Sequence, residues 1–246
     1  MPAGGIVDTM NTSTALVTGA NKGIGKEIAR QLAAAGLTVL VGARDAERGR
    51  QAAEEIGSGA RPLVLDVTDE AAIEQAAAQV GQLDILVNNA GVMVGDGTPG
   101  VTAVHSFRQT YETNVFGVVA VTNAFLPALR RSPAPRIVNV SSGTGSLAWS
   151  IGPDARFPQT GGAAAYRSSK TALNALTVFY ALELAGEGFK VNALAPGLRR
   201  TGLNARAAAS DGDPAEGAAG AVRLALLPDD GPTGGFFSWD GTPMPW

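Results

Sequence analysis

Short apolar runs rich in β-branched residues alternate with longer Ala-rich stretches along most of the chain. The short runs are typical of strands buried on both faces of a sheet, and the Ala-rich stretches repeat apolar positions with helical spacing. We predict strands at 14–19, 37–43, 61–67, 83–91, 136–142, 189–197 and 234–240. We predict helices at about 24–35, 46–56, 69–80, 102–130, 163–186 and 214–227, with N-caps such as Thr68 and Asp213. The alternation favours an α/β fold: a doubly wound sheet of about seven parallel strands with helices on both faces.

Two segments interrupt the alternation. Residues 143–162 and 198–217 are rich in Gly, Pro and Asp, and each follows the C-terminal end of a predicted strand. Ligands of open parallel sheets bind at that edge, in the loops that leave the strands. We therefore expect these two segments to be substrate loops.

The composition indicates one large domain. The chain has 246 residues, 45% of them hydrophobic, which suits a single core over residues 14–246. Residues 1–13 are expected to be a flexible leader, and Met10 is an alternative start. No apolar run approaches the roughly 18 residues of a membrane span and no signal peptide is evident, so a soluble cytoplasmic protein is expected.

Charge and residue usage exclude several partners. The net charge is -3, with Lys and Arg scattered along the chain, which disfavours nucleic acid as a partner. There is no Cys, and a single His, His105, leaves no imidazole cluster for zinc. No metal site is therefore expected.

A Gly-rich turn, "TGANKGIG" (18–25), lies between the first predicted strand and the first predicted helix. Gly19, Gly23 and Gly25 permit a tight turn and close approach to a pyrophosphate, whose charge a helix N-terminus favours. The spacing G-x-x-x-G-x-G differs from the G-x-G-x-x-G fingerprint and from a P-loop. Taken alone, it also fits a plain strand-to-helix turn.

The end of the second strand points to the type of dinucleotide. An acidic residue there is typical of NAD binding, whereas this chain has Arg44, with Asp45 one place later. A guanidinium suits a 2′-phosphate, and Lys22 in the Gly-rich turn supplies a second positive charge. We predict NADP(H) rather than NAD(H); the alternative is that both cations are ordinary surface residues.

Five motifs occur together in order: "TGANKGIG", "NNAG" (88–91), "NVSS" (139–142), "YRSSK" (166–170) and "PGLRRT" (196–201). In this set the chain resembles the short-chain dehydrogenase/reductase family from residue 14 onwards. "ALVTGANKGIG", "ARDAERGRQAA" and "LALLPDDGPTGGFFS" are similar to its carbonyl reductase branch. The resemblance implies a Rossmann-type fold and NADPH-dependent reduction of ketones, aldehydes or quinones.

The resemblance implies an acid at Tyr166, the Tyr of the Y-x-x-x-K motif, with Lys170 as its partner. Residues four apart on a helix share one face. A free phenol has a pKa near 10, and a nearby ammonium favours the phenolate and lowers that pKa toward neutral. Lys170 is also expected to bind the nicotinamide ribose hydroxyls.

Three serines follow the fifth strand: Ser141, Ser142 and Ser146. The family pattern uses the second of them, Ser142, and strand alternation points Ser141 to the opposite face. Ser142 is therefore expected to hydrogen-bond the substrate carbonyl. Asn114, in "YETNVFG", matches the family's helix Asn, which holds a water that connects Lys170 to solvent.

The resemblance also implies a set of cofactor-binding residues beyond the catalytic ones. Asp66 and Val67 would frame the adenine, and the Pro-Gly and Thr of "PGLRRT" would face the nicotinamide carboxamide. Arg199 and Arg200 stand between them, either solvated or attracting an anionic substrate. The complete cofactor set is Gly19, Asn21, Lys22, Gly23, Ile24, Gly25, Arg44, Asp66, Val67, Asn88, Ala90, Gly91, Tyr166, Lys170, Pro196, Gly197 and Thr201.

The chain departs from the ordinary family pattern before Tyr166. Ser142 and Tyr166 are 24 positions apart, about twice the usual separation, because of an insert around 147–162. Its Trp149, Ile151 and Phe157 are interpreted as an apolar wall for a hydrophobic carbonyl compound, or as packing over the mouth of the sheet. The insert precedes the helix that commonly builds the family's tetramer, so tetramer, dimer and monomer all stay open.

The leading hypothesis is an enzyme that reduces a small-molecule carbonyl. NADP-dependent alcohol oxidation and a dedicated biosynthetic ketoreduction are alternatives, because the same residues serve both directions. A non-catalytic dinucleotide sensor on the same fold is a further hypothesis. It is disfavoured by the retention of both Tyr166 and Lys170.

Overall fold

The computed structural model describes residues 13–57, 59–157 and 159–246, and these form one sheet with helices on both faces. The strands are β1 (Thr14–Thr18), β2 (Thr38–Ala43), β3 (Ala60–Val64), β4 (Ile85–Asn88), β5 (Arg136–Val140), β6 (Lys190–Ala195) and β7 (Phe236–Ser238). They are parallel, in the order β3-β2-β1-β4-β5-β6-β7. The predicted doubly wound fold is confirmed. The predicted leader, apart from Ser13, lies outside the described residues.

The strand order reverses between β1 and β4, and this position fixes where a ligand binds. The chain runs outward through β2 and β3 on one side, then returns to β4 and runs outward through β5, β6 and β7 on the other. The loops at the carboxyl ends of β1 and β4 therefore diverge and leave a crevice.

The helices are α1 (Gly23–Ala34), α2 (Ala46–Ile56), α3 (Glu70–Ala78), α4 (Val104–Tyr111), α5 (Gly117–Leu129), α6 (Ala164–Glu183), α7 (Ala205–Ala208) and α8 (Pro214–Ala225). The single helix predicted over 102–130 is wrong in one respect. A five-residue π-helical turn, Glu112–Phe116, separates α4 from α5. The short α7 lies inside the segment 198–217, the second predicted substrate loop, and was not predicted.

Carboxylates and an amide cap several of these helices. Asp213 caps α8 as predicted and accepts a hydrogen bond from Ala215 N at 2.9 Å. The predicted cap Thr68 is wrong, because Asp69 caps α3 and accepts from Ala72 N at 3.1 Å. A hydroxyl one place too early cannot reach the free amides of the first turn.

The core consists of two apolar layers, one on each face of the sheet. In β1, Ala15 and Val17 face the layer that contains Ile28 and Leu32 of α1, whereas Leu16 faces the layer that contains Phe125 of α5. All six side chains are fully buried. The period-two alternation of a strand therefore places apolar residues on both faces, which explains the continuous apolar runs.

Candidate active site

The Gly-rich turn lies at the crevice, directly after β1. Gly19 has φ +62°, and a Cβ added to it would lie 3.0 Å from Ala90 Cα. A Cβ added to Gly25, in the first turn of α1, would lie 2.7 Å from the Gly19 carbonyl oxygen. The backbone here has room for no side chain, which fits a cradle that must approach a pyrophosphate at the N-terminus of α1.

Two residues that the sequence analysis did not assign hold this turn against the β4 loop. Thr18 Oγ1 accepts hydrogen bonds from the backbone amides of Asn89 and Ala90, both at 3.0 Å. Asn89 Nδ2 donates to the Thr18 carbonyl at 2.8 Å. The second Asn of "NNAG" was the available signal, and its role is to join the ends of β1 and β4.

Asn88 is directed into the interior. Its Nδ2 donates to Thr122 Oγ1 at 3.1 Å and to Asn139 Oδ1 at 2.9 Å. Asn139 in turn donates to Thr177 Oγ1 at 2.9 Å. This buried polar chain ties β4 and β5 to α5 and α6, and it leaves only the Asn88 backbone for the predicted place along the cofactor.

The loop after β3 carries Asp66 and Val67, the residues predicted to frame the adenine. The Asp66 carboxylate accepts from the Thr68 amide at 3.0 Å and from the Thr68 hydroxyl at 2.8 Å, which closes a local turn. Val67 and Ala90 line one small cavity together with Thr18 and Gly117. Residues predicted from two separate motifs thus meet at one place.

The predicted 2′-phosphate cations are both exposed, Lys22 at the N-terminus of α1 and Arg44 at the end of β2. Within the described ranges, neither forms an ion pair with a carboxylate. Asp45 instead caps α2, and its Oδ1 accepts from Arg48 N at 3.0 Å. The acidic residue next to Arg44 therefore has a structural function, and the two cations are free to bind an anion. In the same turn, Asn21 and Ile24 are half-buried.

Ser142 and Tyr166 meet at the carboxyl end of β5. Ser142 precedes a 3-10 turn at Gly143–Gly145, and its hydroxyl lies 2.9 Å from Thr144 Oγ1. Tyr166 lies in the first turn of α6. Burial raises the pKa of the Tyr166 phenol to about 12, and a hydrogen bond with the Ser142 side chain opposes this rise. In this structure the pKa therefore moves opposite to the expected direction, because desolvation outweighs the hydrogen bond with Ser142.

Lys170 lies four positions after Tyr166 on α6. Its Nζ donates to the Val140 carbonyl at 2.8 Å and lies 5.7 Å from the centroid of the Tyr166 ring. Its side chain is buried, and burial lowers the pKa of the ammonium to about 8. A Cβ added to Gly91 would lie 3.5 Å from this Nζ, so the "NNAG" loop passes directly over it.

Asn114 lies in the π-helical turn and is completely buried. Its Oδ1 accepts from Val92 N at 2.8 Å, and its Nδ2 donates to the Val92 carbonyl at 2.9 Å and to Ser169 Oγ at 3.0 Å. Ser169 Oγ donates to the Tyr166 carbonyl at 2.7 Å. Asn114 therefore links the loop after β4 to the helix turn that carries Tyr166; the predicted water-holding role remains a prediction.

The other two candidate serines face away from Tyr166. Ser141 Oγ donates to Asn174 Oδ1 at 2.6 Å, on the opposite side of the chain, as the alternation predicts. Ser146 is fully buried and its hydroxyl accepts from Trp149 N at 3.1 Å. Of the three, Ser142 alone is placed beside the phenol.

The "PGLRRT" segment reaches the same edge of the sheet. Gly197 has φ +77°, and Thr201 Cγ2 lies 3.4 Å from where a Cβ on Gly23 would stand. The two Arg residues differ, because Arg200 is exposed and Arg199 is buried with 8% of its surface accessible. Of the two alternatives left open for Arg199, solvation is therefore wrong.

The insert covers the residue next to Ser142. A Cβ on Gly143 would lie 3.3 Å from both Phe157 Cζ and Trp149 Cζ3, and 3.5 Å from Met244 Cε. The Trp149 and Phe157 rings are 6.2 Å apart and tilted. Both predicted aromatic residues thus lie beside the candidate site, whereas Ile151 is 72% exposed. Met244 was not predicted, because its position far along the chain gave no local signal.

The family follows from comparison with known proteins. A family model described as short chain dehydrogenase matches residues 13–212. This chain belongs to the short-chain dehydrogenase family. The assignment confirms the predicted oxidoreductase class and places the Y-x-x-x-K pair, the Gly-rich turn and the seven-stranded sheet within one family pattern.

Three relatives of this short-chain dehydrogenase match nearly its whole length. Salutaridine reductase from Papaver bracteatum is 34% identical and covers 91% of this chain and 93% of its own. (-)-Isopiperitenone reductase from Mentha piperita is 35% identical, with coverages of 92% and 96%. The structure of NADPH-bound carbonyl reductase from chicken fatty liver has a TM-score of 0.82 at 29% identity, with coverages of 96% and 99%.

Two features are absent from the described residues of this short-chain dehydrogenase. In the part of the chain that the structure describes, no helix has the length and apolar character required to cross a membrane. Among the same residues, no three His, Cys, Asp or Glu side chains cluster as metal ligands would.

Proposed function

We propose that this protein reduces the carbonyl group of a ketone, aldehyde or quinone to an alcohol with NADPH. The observation that carries the proposal is the meeting of Ser142, Tyr166 and Lys170 at the carboxyl end of β5, beside the glycine cradle after β1. The relatives support it, because all three are named as reductases and the one solved structure among them contains NADPH.

Different residues would bind different parts of NADPH. The glycine turn would hold the diphosphate, Lys22 and Arg44 the 2′-phosphate, and Val67 the adenine. The carboxamide would face Gly197 and its neighbours. When bound, NADPH supplies the hydride that reduces the carbonyl carbon.

Tyr166 acts as the general acid. Its pKa of about 12 keeps the phenol protonated at neutral pH, so the proton is present when substrate binds. Ser142 donates a hydrogen bond to the carbonyl oxygen, and Tyr166 transfers its proton to that oxygen as negative charge develops. Ser142 thus orients the oxygen that Tyr166 protonates.

Lys170 stabilises the phenolate that remains after proton transfer. At a pKa of about 8 most of its ammonium groups are charged at pH 7, in a site where burial makes that charge more effective. The hydrogen bond to the Val140 carbonyl fixes its direction. Lys170 therefore favours the charged state of Tyr166 that the reaction produces.

A matched pair of Tyr variants tests the acid. Tyr166→Phe should keep NADPH binding, measured by fluorescence, and lose on the order of 10²- to 10⁴-fold in turnover. Tyr180→Phe makes the same change on the same helix, where the hydroxyl donates to Asn123 Oδ1 at 2.8 Å, and should keep turnover. Full turnover in Tyr166→Phe would remove it from the mechanism.

A second pair tests the cofactor type. Arg44→Ala should lower the preference for NADPH over NADH, measured as the ratio of kcat/KM values for the two. Arg50→Ala is the control, because Arg50 is exposed on α2 and already pairs with Glu47 and Glu54. An unchanged ratio in Arg44→Ala would contradict the 2′-phosphate assignment.

The substrate class is proposed from the insert. Trp149 and Phe157 beside Gly143 favour ketones with an apolar ring over small polar ones. A panel of small ketones, aryl ketones, ketoesters and quinones, scored by NADPH oxidation, tests this order. Equal rates across the panel would exclude the insert as the selective wall.

A further inference from the structure

Arg199 is a buried cation in the loop after β6, and its hydrogen bonds are to the backbone and to a carboxylate of this chain. Its Nε donates to the Pro196 carbonyl at 2.8 Å, and its Nη1 donates to Glu216 Oε2 of α8 at 2.7 Å. Its guanidinium lies 4.4 Å from the ring centroid of Trp239, directly after β7. One side chain thus joins the end of β6 to α8 and to the end of β7.

Three glycines leave the space that this side chain occupies. A Cβ on Gly197 would lie 3.3 Å from Arg199 Nη2 and 3.2 Å from Trp239 Cδ1. A Cβ on Gly212 would lie 3.3 Å from Arg199 Cδ, and one on Gly217 of α8 would lie 3.2 Å from Arg199 Cγ. The guanidinium and its stem are therefore fitted against backbone on three sides, which leaves little freedom to move.

The contacts of Arg199 lie beside the residues proposed to face the nicotinamide. Pro196 and Gly197 are the residues proposed to face the nicotinamide half of the cofactor, and Arg199 binds the carbonyl of the first and covers the second. Gly197 has φ +77°, and because glycine adopts positive and negative φ about equally well, its own backbone preference does not fix this conformation. A small shift here would move the nicotinamide wall and leave the adenine end unchanged.

We propose that Arg199 is a positioning residue that fixes the Pro196–Gly197 wall for the nicotinamide half of the cofactor. It acts through the backbone of these two residues and through Trp239, and it touches neither substrate nor cofactor. The proposal rests on the proposed NADP(H) function. It replaces the two sequence-based alternatives for Arg199, solvation and attraction of an anionic substrate.

The test compares two ligands that share one half. NADPH spans the whole crevice, whereas adenosine 2′,5′-bisphosphate has the adenine, ribose and 2′-phosphate but no nicotinamide. In Arg199→Met, the Kd of NADPH should rise on the order of 10- to 100-fold, as for other remote changes that displace a binding wall. The Kd of adenosine 2′,5′-bisphosphate should stay at the wild-type value, and Arg199→Lys should give an intermediate NADPH Kd.

Arg200→Met is the matched control, because it removes the same charge from an exposed neighbour and should alter neither Kd. Equal weakening of both ligands in Arg199→Met, or no change in either, would overturn the proposal. If Arg199→Met does not fold, Arg199→Lys and Trp239→Leu decide by the same Kd comparison. Failure of the wild-type protein to bind NADPH would instead refute the proposed function.

Discussion

The two sides of the crevice are built in different ways. The proposed cofactor side, formed after β1 and β4, is held by backbone contacts and hydrogen bonds among Thr18, Asn89 and the glycines of 18–25. The proposed substrate side, formed by 143–162, is held by long side chains such as Trp149, Phe157 and Met244, which pack over Gly143. The first side is fixed by neighbouring strands, and the second depends on residues far apart in the sequence.

This difference suggests a division of roles. A dinucleotide is the same molecule in every turnover, so a rigid backbone cradle suits it. Substrate walls held by individual side chains change with single substitutions, while the sheet and its cofactor side stay as they are. Changes on the cofactor side should therefore act on NADPH binding, and changes on the substrate side on substrate use.

Lys170 lies where the two sides meet. Its loss should therefore have the largest effect, and that effect should not be confined to either side. Lys170→Met should lose on the order of 10²-fold or more in turnover, because the phenolate loses its partner charge. The wild-type rate should fall as pH rises through about 8, where Lys170 loses its proton. Steady-state kinetics across pH measures both effects, and a flat profile from pH 7 to 9.5 would contradict the role of the ammonium.

The same residue should affect stability with the opposite sign. The pKa of Lys170 is about 8 in the folded protein against 10.5 normally, so the unfolded chain binds more protons between these values. Stability therefore rises with pH across this window, by about 3 kcal/mol from this group. Urea unfolding of the wild type and Lys170→Met at pH 7.5 and 10.5 measures the difference, and identical pH dependence in both would refute the assignment.

Gly25→Ala should act on the cofactor side alone. The new Cβ would lie 2.7 Å from the Gly19 carbonyl oxygen, so the cradle must open and the Kd of NADPH should rise on the order of 100-fold. Gly202→Ala is the control from the loop after β6, because no atom of the described residues lies within 4 Å of its Cβ position. A Gly202→Ala variant that binds NADPH as weakly as Gly25→Ala would abolish the contrast.

Trp149→Ala should act on the substrate side alone. Loss of the indole beside Gly143 should raise the KM of an apolar aryl ketone about 10-fold, a typical consequence of removing apolar pocket contact. The Kd of NADPH should not change. Ile151→Ala, at a position 72% exposed in the same insert, should leave both constants unchanged. A change in the Kd of NADPH with an unchanged KM for the ketone would assign Trp149 to the proposed cofactor side.

The smallest expected effect concerns the start of α6. Ala163 has φ +56°, a left-handed conformation that costs a non-glycine residue about 1 kcal/mol. Ala163→Gly should therefore raise the free energy of unfolding by about that amount. Ala175→Gly, at an exposed interior position of the same helix, should lower it by about 1 kcal/mol. Denaturant unfolding distinguishes the two signs.

The sequence predicts the fold and the local parts of the site well. Strands of continuous apolar residues have an unambiguous pattern, and Tyr166 and Lys170 belong to one short motif on one helix. Ser142 was separable from Ser141 because strand alternation is a local property. These features depend on residues a few positions apart.

The rest of the site depends on contacts that no local pattern encodes. The packing of Met244 against Gly143 and the stacking of Arg199 on Trp239 join segments that only the folded sheet brings together. The π-helical turn was missed because the apolar periodicity of 102–130 continues across it. The pKa of Tyr166 was misjudged because burial, which raises it, is a property of the packed structure.

The π-helical turn at Glu112–Phe116 also bears on how this chain tolerates changes in length. Such a turn holds one more residue than an α-helical turn. Deleting one residue would restore a regular helix but rotate one flank against the other by about 100°. Asn114 would then lose Val92 and Ser169 together. This helix should therefore accept many substitutions and no single-residue deletion, because its extra residue sets the phase between the loop after β4 and the Tyr166 helix.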